Sequence, residues 1–136
     1  MPGVPDDDWA PLRDELAADV RRVSDRLRNL SQARLHAPVP PFASRAAASR
    51  EAARVLAVAA QGIEARTDEN EPSWRQPPEL ADFAVGDQVA VTGQDLLAAL
   101  DGLDPADTVW APAARRPARH VVAEAAATLA ATRRLL

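Results

Sequence analysis

The prolines of this chain constrain its fold more than any other feature of the sequence. Twelve of them are spread over 136 residues, in clusters. Proline lacks a backbone N–H and its ring clashes with the preceding helical turn, which costs about 3 kcal/mol inside a helix and confines proline to helix starts and connections. Four long stretches contain no proline, and their limits are 12–37, 42–71, 79–104 and 118–136. The sequence therefore predicts four helices with proline-rich connections, at about 9–35, 43–66, 79–101 and 117–135.

Composition supports this interpretation and points to one domain over 1–136. Alanine, the strongest helix former, supplies roughly a quarter of the chain, whereas aromatic residues make up only 4%. β-Branched residues are too few to build a sheet, and 136 residues suffice for one core. We expect an all-α, four-helix bundle-like domain in which small side chains let the helix axes approach closely.

Charge and cysteine content narrow the possible environments. The chain has no cysteine, which rules out disulfides and thiolate metal sites and agrees with a reducing compartment. Residues 1–8 are acidic and contain proline where an export signal would be basic and then apolar, and no apolar run is long enough to cross a bilayer. We expect a cytoplasmic protein with no membrane partner. All 16 basic residues are arginine, but the net charge is −4. Because an acidic chain is repelled by phosphate backbones, we do not expect nucleic-acid binding.

Two of the predicted helices carry clear apolar stripes at steps of three and four. The stripe of the first helix comprises Trp9, Leu12, Leu16, Val20, Val23, Leu27 and Leu30. The stripe of the second helix comprises Ala48, Ala52, Val55, Leu56, Ala59 and Ile63. The first stripe is broad and the second is lined by small residues, so both helices should pack against neighbours.

The third predicted helix has an alternative. Residues 85–91 alternate well enough to form a strand, but the only other β-like fragment is 108–110, and so short a pairing is marginal in water. We therefore favour one helix whose faces are Val85, Val89, Leu96, Leu100 and Gly86, Ala90, Gly93, Leu97. Because glycine weakens a helix, Gly86 and Gly93 should mark close contact with a neighbouring helix or a kink.

The longest predicted connection, 67–78, is polar and proline-rich and contains an isolated tryptophan. Connections of about 12 residues without structure of their own are often functional or mobile. Tryptophan is enriched in binding hot spots, so Trp74 with the neighbouring Arg75 is the best candidate for an exposed anchor. At the other end of the chain, Leu135 and Leu136 need a surface to cover them and are a second candidate for partner contact.

Two charged groups near the last helix suggest binding chemistry. His120 and Glu124 lie four residues apart on one helix face and, with Asp95 from the third helix, could supply metal ligands. Arg115, Arg116 and Arg119 cluster at the start of the last helix, where free N–H groups also favour an anion, and their charge points to phosphate or an acidic partner. The structural interpretation of these two groups is that the arginines are solvated and the histidines are ordinary surface residues.

Catalytic motifs give no support for an enzyme. The five serines have no nearby histidine, and the five glycines form neither a P-loop nor a dinucleotide fingerprint. We expect a protein without cofactor or catalytic activity that associates with itself, as a homodimer, or with another protein. The alternative is a ligand- or metal-binding bundle, with or without enzymatic activity, whose site lies between the third and fourth predicted helices.

Overall fold

The computed structural model describes residues 8–136, and the acidic N-terminal segment whose composition argued against an export signal lies largely outside them. The described chain is mostly helical, as the sequence predicts, with one small sheet. Its helices are α1 (Trp9–Asn29), α2 (Gln32–His36), α3 (Arg45–Glu64), α4 (Val85–Ala99) and α5 (Ala118–Leu135). The strands are β1 (Thr108–Ala111) and β2 (Ala114–Pro117), and a 3-10 turn, Asp82–Ala84, precedes α4.

The apolar stripe of α1 faces the core, which confirms the sequence pattern. Leu16, Val20, Val23 and Leu27 are buried, and the stripe residues at both ends of the helix are partly buried against the same cluster. The predicted helix 9–35 is nevertheless too long, because α1 ends at Asn29. Ser31 adopts an extended backbone, and its hydroxyl accepts a hydrogen bond from the N–H of Arg34 at 3.2 Å. A serine that caps a new helix in this way ends the old one.

The long helix α3 contributes the small-residue face that its sequence predicts. Ser44 caps it by accepting a hydrogen bond from Ala47 N–H at 3.0 Å, so the helix begins at Arg45, close to the predicted start. Its buried residues include Ala48, Ala52, Leu56 and Ile63. The alanine-lined surface gives α3 room for close neighbours on several sides.

The segment 85–91 is helical, as favoured over the strand, but the helix is shorter than predicted. It begins at Val85, so the predicted start at 79 is wrong by six residues. The carbonyls of Pro78 and Leu80 accept hydrogen bonds from the side chains of Gln88 and Arg50. Backbone acceptors that are satisfied by side chains in this way hold the segment out of the helix.

Both glycines of α4 lie against α1, which confirms the close contact predicted for them. A Cβ added at Gly86 would lie 3.0 Å from the carbonyl oxygen of Ser24, and one at Gly93 would lie 2.6 Å from Cγ1 of Val20. Ion pairs extend this contact at the surface, where Arg28 reaches Asp87 at 2.8 Å. Glycine therefore sets the distance between α1 and α4.

The β-hairpin is the main element that the predicted all-helical fold lacks. Its antiparallel register pairs Thr108 with Pro117 and Ala111 with Ala114. The turn at 112–113 places Ala113 at a φ of 65°, the left-handed region. The hairpin is held by α3 as well as by its own pairing, since a Cβ added at Gly62 would lie 1.9 Å from the carbonyl oxygen of Trp110. This docking onto α3 makes so short a pairing stable.

Each long helix packs extensively against two others: α1 against α4 and α5, and α3 against α4 and α5. The consecutive helices α3 and α4 run in the same direction. Near their starts, Arg50 of α3 pairs with Asp82, just before α4. Toward their ends, Glu64 of α3 and Asp95 of α4 line the same groove. The chain must therefore return along α3, from near its end at Gln61 to Arg50 near its start, before α4 begins. The structural role of the long connection is to carry the chain back along α3.

We call the returning segment, residues 75–81, the strap. At one end the side chain of Gln61 forms two hydrogen bonds with the backbone of Arg75, at 2.8 and 2.9 Å. In the middle, Gln88 donates to Pro78, and at the far end Arg50 donates to the carbonyl of Leu80 at 2.9 Å. The strap thus lies across the surface between α3 and α4.

Candidate functional site: the groove beside the strap

A groove runs between α3, α4 and the strap, with a volume of about 360 Å³. This size is at the lower end of the range for small-ligand or side-chain pockets. Its apolar lining consists of Ala57, Ala60, Pro77, Pro78, Leu80 and Val91. Its polar and charged lining consists of Gln61, Glu64, Arg75, Gln76, Asp87, Gln88, Thr92 and Asp95. The walls are therefore apolar with a charged rim.

Large apolar side chains are exposed next to this groove. Within residues 8–136 the exposed large hydrophobic residues are Leu80, Phe83 and Val91, at 42%, 72% and 61% exposure. Leu80 and Val91 line the groove itself. Phe83 lies in the 3-10 turn that leads into α4, and positions 87, 91 and 95 follow one side of that helix. We call Leu80, Phe83 and Val91 the docking face.

Carboxylates flank the docking face. Asp87 is exposed and paired with Arg28 of α1. Glu64 and Asp95 are also exposed, and neither forms an ion pair with any residue of the described chain. Among the groove-lining residues, Arg75 is the one cation. The rim therefore carries more negative than positive charge.

An ion-pair cluster fixes the end of the strap nearest the docking face. Asp82 accepts from Arg50 and lies 2.8 Å from Nδ1 of His36. His36 belongs to α2, which brings this short helix into contact with the 3-10 turn. These contacts anchor the backbone at Asp82, between the exposed Leu80 and Phe83.

The expected anchor Trp74 does not stand free of the surface. It is half-buried, and its ring atom Cη2 would lie 3.4 Å from a Cβ added at Gly62. Its Nε1–H donates to Glu71 Oε2 at 2.6 Å, and the same oxygen accepts from Ala113 N–H at 3.0 Å. These two hydrogen bonds, that from Ala113 first, lower the pKa of Glu71. Trp74 thus ties the long connection to the hairpin, while the neighbouring Arg75 remains exposed at the groove.

Two of the three arginines predicted to bind an anion already have partners. Arg115 lies over the ring of Trp110, 4.8 Å from its centroid, and donates to the carbonyl of Arg66 at 2.7 Å. Arg116 donates two hydrogen bonds to Glu124, at 2.7 and 2.6 Å, which raises the pKa of Arg116 and lowers that of Glu124. Arg119 lies in the first turn of α5, where its backbone N–H donates to Pro105. The cluster is therefore built into the hairpin and its junction with α5.

The structure does not assemble the metal ligands suggested by the sequence. Over residues 8–136 it contains no group of three or more His, Cys, Asp or Glu side chains placed to hold a metal ion. His120 and Glu124 are exposed on α5, and both carboxylate oxygens of Glu124 accept from Arg116. Asp95 lies at the groove beside α3 instead.

The two C-terminal leucines are less available than the sequence suggests. Leu136 is partly buried against the core, and Leu135 is half-buried. Their carbonyls accept hydrogen bonds from other helices, from Arg26 of α1 at 3.2 Å and from Arg45 of α3 at 2.8 Å. The end of α5 is thus docked within the fold.

Sequence reasoning missed the docking face, although one signal for it was present. Val91 lies on neither of the two apolar faces that the pattern of α4 defines. An apolar residue outside both buried faces must be exposed, as Val91 is. Phe83 gave no such signal, because the predicted helix wrongly included its turn.

Comparisons with protein-family models, with curated proteins and with solved structures find no match to this chain. Of the helices in residues 8–136, none has the length and apolar character to span a bilayer.

Proposed function

We propose that this protein is a non-catalytic interaction module, a helical bundle-like domain of the cytoplasm that binds a partner protein through the docking face. The observation that supports this most is the exposure of large apolar side chains at the start of α4 and on it, Phe83 at 72% and Val91 at 61%. Contiguous exposed apolar surface is unfavourable in water and is typical of protein-binding sites. Aromatic residues at the centre of such surfaces contribute much of the binding energy.

The anchoring of the backbone next to these side chains also supports a binding role. Asp82 is held between Arg50 and His36, and the strap is fixed by hydrogen bonds from α3 and α4. A preordered surface loses little conformational entropy when a partner binds. The partner is another copy of the chain, giving the homodimer that the sequence suggests, or a different protein.

The alternative proposal, a ligand- or metal-binding bundle with a site at Asp95, His120 and Glu124, has weaker support. Only Asp95 contributes to the groove, and Glu124 is occupied by Arg116. Phe83 is exposed outside the groove lining, and apolar side chains spread over such a distance suit a macromolecule better than a small ligand enclosed on most sides.

Site-specific photocrosslinking in cells that produce the protein tests the proposed function. A photoreactive amino acid replaces Phe83 in one variant and the exposed Asp14 of α1 in a control variant. We expect a discrete crosslinked protein, identified by mass spectrometry, from position 83 and not from position 14. Equal crosslinking at both positions, or none at either, would refute an interaction through the docking face.

A further inference from the structure

We propose that the partner segment recognised by the docking face is a basic amphipathic helix, with apolar side chains on one side and arginine or lysine next to them. This inference rests on the proposed function and specifies its partner. The charges around the apolar surface determine which partner binds, because apolar area alone attracts any apolar partner and charge discriminates between partners.

The carboxylates lie where a basic partner would need them. Asp87 and Asp95 are placed four residues before and after Val91 on the same side of α4, and Glu64 borders the groove from the end of α3. Glu64 and Asp95 have no ion-pair partner among residues 8–136. A carboxylate without a partner, close to an apolar surface that becomes covered, gains most from an incoming cation.

A second copy of this chain fits the same surface less well. In a dimer with twofold symmetry each copy presents the same patch to the other, so the acidic rims would approach one another. Like charges opposed across an interface are unfavourable, and the chain as a whole carries −4. The rim therefore disfavours self-association through this face and favours a cationic partner of different sequence.

The dimensions favour a helical segment. Phe83 and Val91 are separated by eight residues, about 12 Å along a helix axis, and Asp95 lies about 6 Å further along. The groove between the parallel helices α3 and α4 accepts the side chains of an additional helix laid beside them, as ridges fit grooves in helix packing. Three to four turns of an amphipathic helix, with apolar side chains at i, i+4 and i+7, would cover this length.

Three labelled peptides of about 18 residues, long enough to form a helix on binding, test the inference by fluorescence anisotropy. They share leucines at i, i+4 and i+7 positions and carry arginine, glutamine or glutamate at the polar positions. With the full-length protein at low salt, we expect the arginine peptide to bind about tenfold or more tightly than the glutamine peptide, and the glutamate peptide not to bind. The preference should decline as salt is raised.

Paired variants locate the binding. The double substitution Glu64→Gln and Asp95→Asn should weaken the arginine peptide by about three- to tenfold and leave the glutamine peptide unchanged. Asp14→Asn, which removes an exposed carboxylate from α1, is the matched control and should change neither. Phe83→Ser with Val91→Ser should weaken both peptides, with thermal unfolding used to verify that this variant is folded.

The possible results separate the inference from the proposed function. Failure of the arginine peptide to bind, or equal binding of all three peptides, overturns the inference. If the glutamine peptide binds as tightly as the arginine peptide and both depend on Phe83 and Val91, the basic partner is wrong but the docking face stands. If sedimentation detects a dimer of the unmodified protein that the double variant Phe83→Ser, Val91→Ser does not form, the partner is a second copy of the chain and the basic-partner inference is wrong.

Discussion

Glycine permits close contact at two places in this molecule, and the two contacts differ in what the glycine meets. Between α1 and α4, a Cβ at Gly93 would lie 2.6 Å from Cγ1 of Val20, a side-chain atom. Between α3 and the hairpin, a Cβ at Gly62 would lie 1.9 Å from the carbonyl oxygen of Trp110, a backbone atom. The first contact can adjust by a change of side chain, whereas the second requires the backbone to move.

The backbone of Trp110 has little freedom to move. It is paired with Arg115 across the hairpin, and its indole Nε1–H donates to the carbonyl of Asp68 at 3.1 Å. The ring also lies beneath the guanidinium of Arg115. The hairpin is therefore held at Gly62 by main-chain geometry, whereas the tightest approach of α1 and α4, at Gly93, is limited by side-chain packing. The approach at Gly86 is looser, since a Cβ there would lie 3.0 Å from the carbonyl oxygen of Ser24.

The largest effect is expected from Gly62→Ala. The new methyl group cannot be accommodated without separating the hairpin from α3, so we expect a loss of more than about 3 kcal/mol in the free energy of unfolding, measured with urea. Gly102→Ala is the control, because a Cβ there meets no described atom within 4 Å and the substitution acts only through a φ of 73°, at a cost of about 1 kcal/mol. Equal losses in the two variants would show that the backbone contact is not rigid.

A substitution at the α1/α4 contact should destabilise the protein less than Gly62→Ala does, and a second substitution should restore part of the lost stability. Gly93→Ala is expected to lower the free energy of unfolding by about 1–3 kcal/mol, because the added methyl group overpacks against Val20. Combining it with Val20→Ala makes room, so the double variant should be more stable than the sum of the single effects predicts, by about 1 kcal/mol. Strict additivity in urea unfolding would contradict side-chain control of this interface.

A substitution in the hairpin turn should have a smaller effect of opposite sign, an increase in the free energy of unfolding. Ala113 has a φ of 65°, where an L-residue is strained and glycine is not. Ala113→Gly should therefore stabilise the protein by about 0.5–1 kcal/mol. Ala114→Gly, one position later in β2, should destabilise it, since no positive φ is required there. Thermal unfolding of the two variants measures this contrast, and a decrease in Tm for Ala113→Gly would contradict it.

The smallest effect concerns Glu71 and depends on pH. Hydrogen bonds from Ala113 N–H and Trp74 lower its pKa, so the ionised form is favoured in the folded protein. A carboxylate whose pKa is lowered on folding stabilises the protein above its ordinary pKa of about 4.3, and this contribution is lost as pH falls through the lowered value. Glu71→Gln should therefore lower Tm slightly at pH 7, and this effect should diminish as the pH falls toward 2. An equal effect at both values would show that charge at Glu71 does not matter.

Much of the helical framework was predictable because each long helix carries its own pattern. The stripe of α1 and the glycines of α4 each reflect contacts between side chains on regularly spaced positions, and these were predicted correctly. The second strand, Ala114–Pro117, was missed because Ala-Arg-Arg-Pro has neither alternation nor β-branched residues. Its conformation depends on pairing with β1, which docks on α3, and sequence periodicity does not encode that contact.

The candidate site was harder to predict for a related reason. Trp74 was expected to be exposed and instead packs at Gly62, a residue twelve positions earlier on another element. The arginines at 115 and 116 were expected to bind an anion but have partners on the hairpin and on α5. The partners of Trp74 and Arg115, Gly62 and Arg66, lie in or just after α3, so local spacing could not identify them.

The parallel arrangement of α3 and α4 has a consequence for the rate of folding. In an up-and-down bundle, consecutive helices pack as local hairpins, but here, among residues 8–136, α1 does not pack extensively against α3, nor α4 against α5. The one extensive contact between consecutive long helices, α3 with α4, requires the intervening chain to close first. Proteins whose contacts join residues distant in sequence fold more slowly. Despite its helical content, this domain should fold more slowly than up-and-down bundles of the same length.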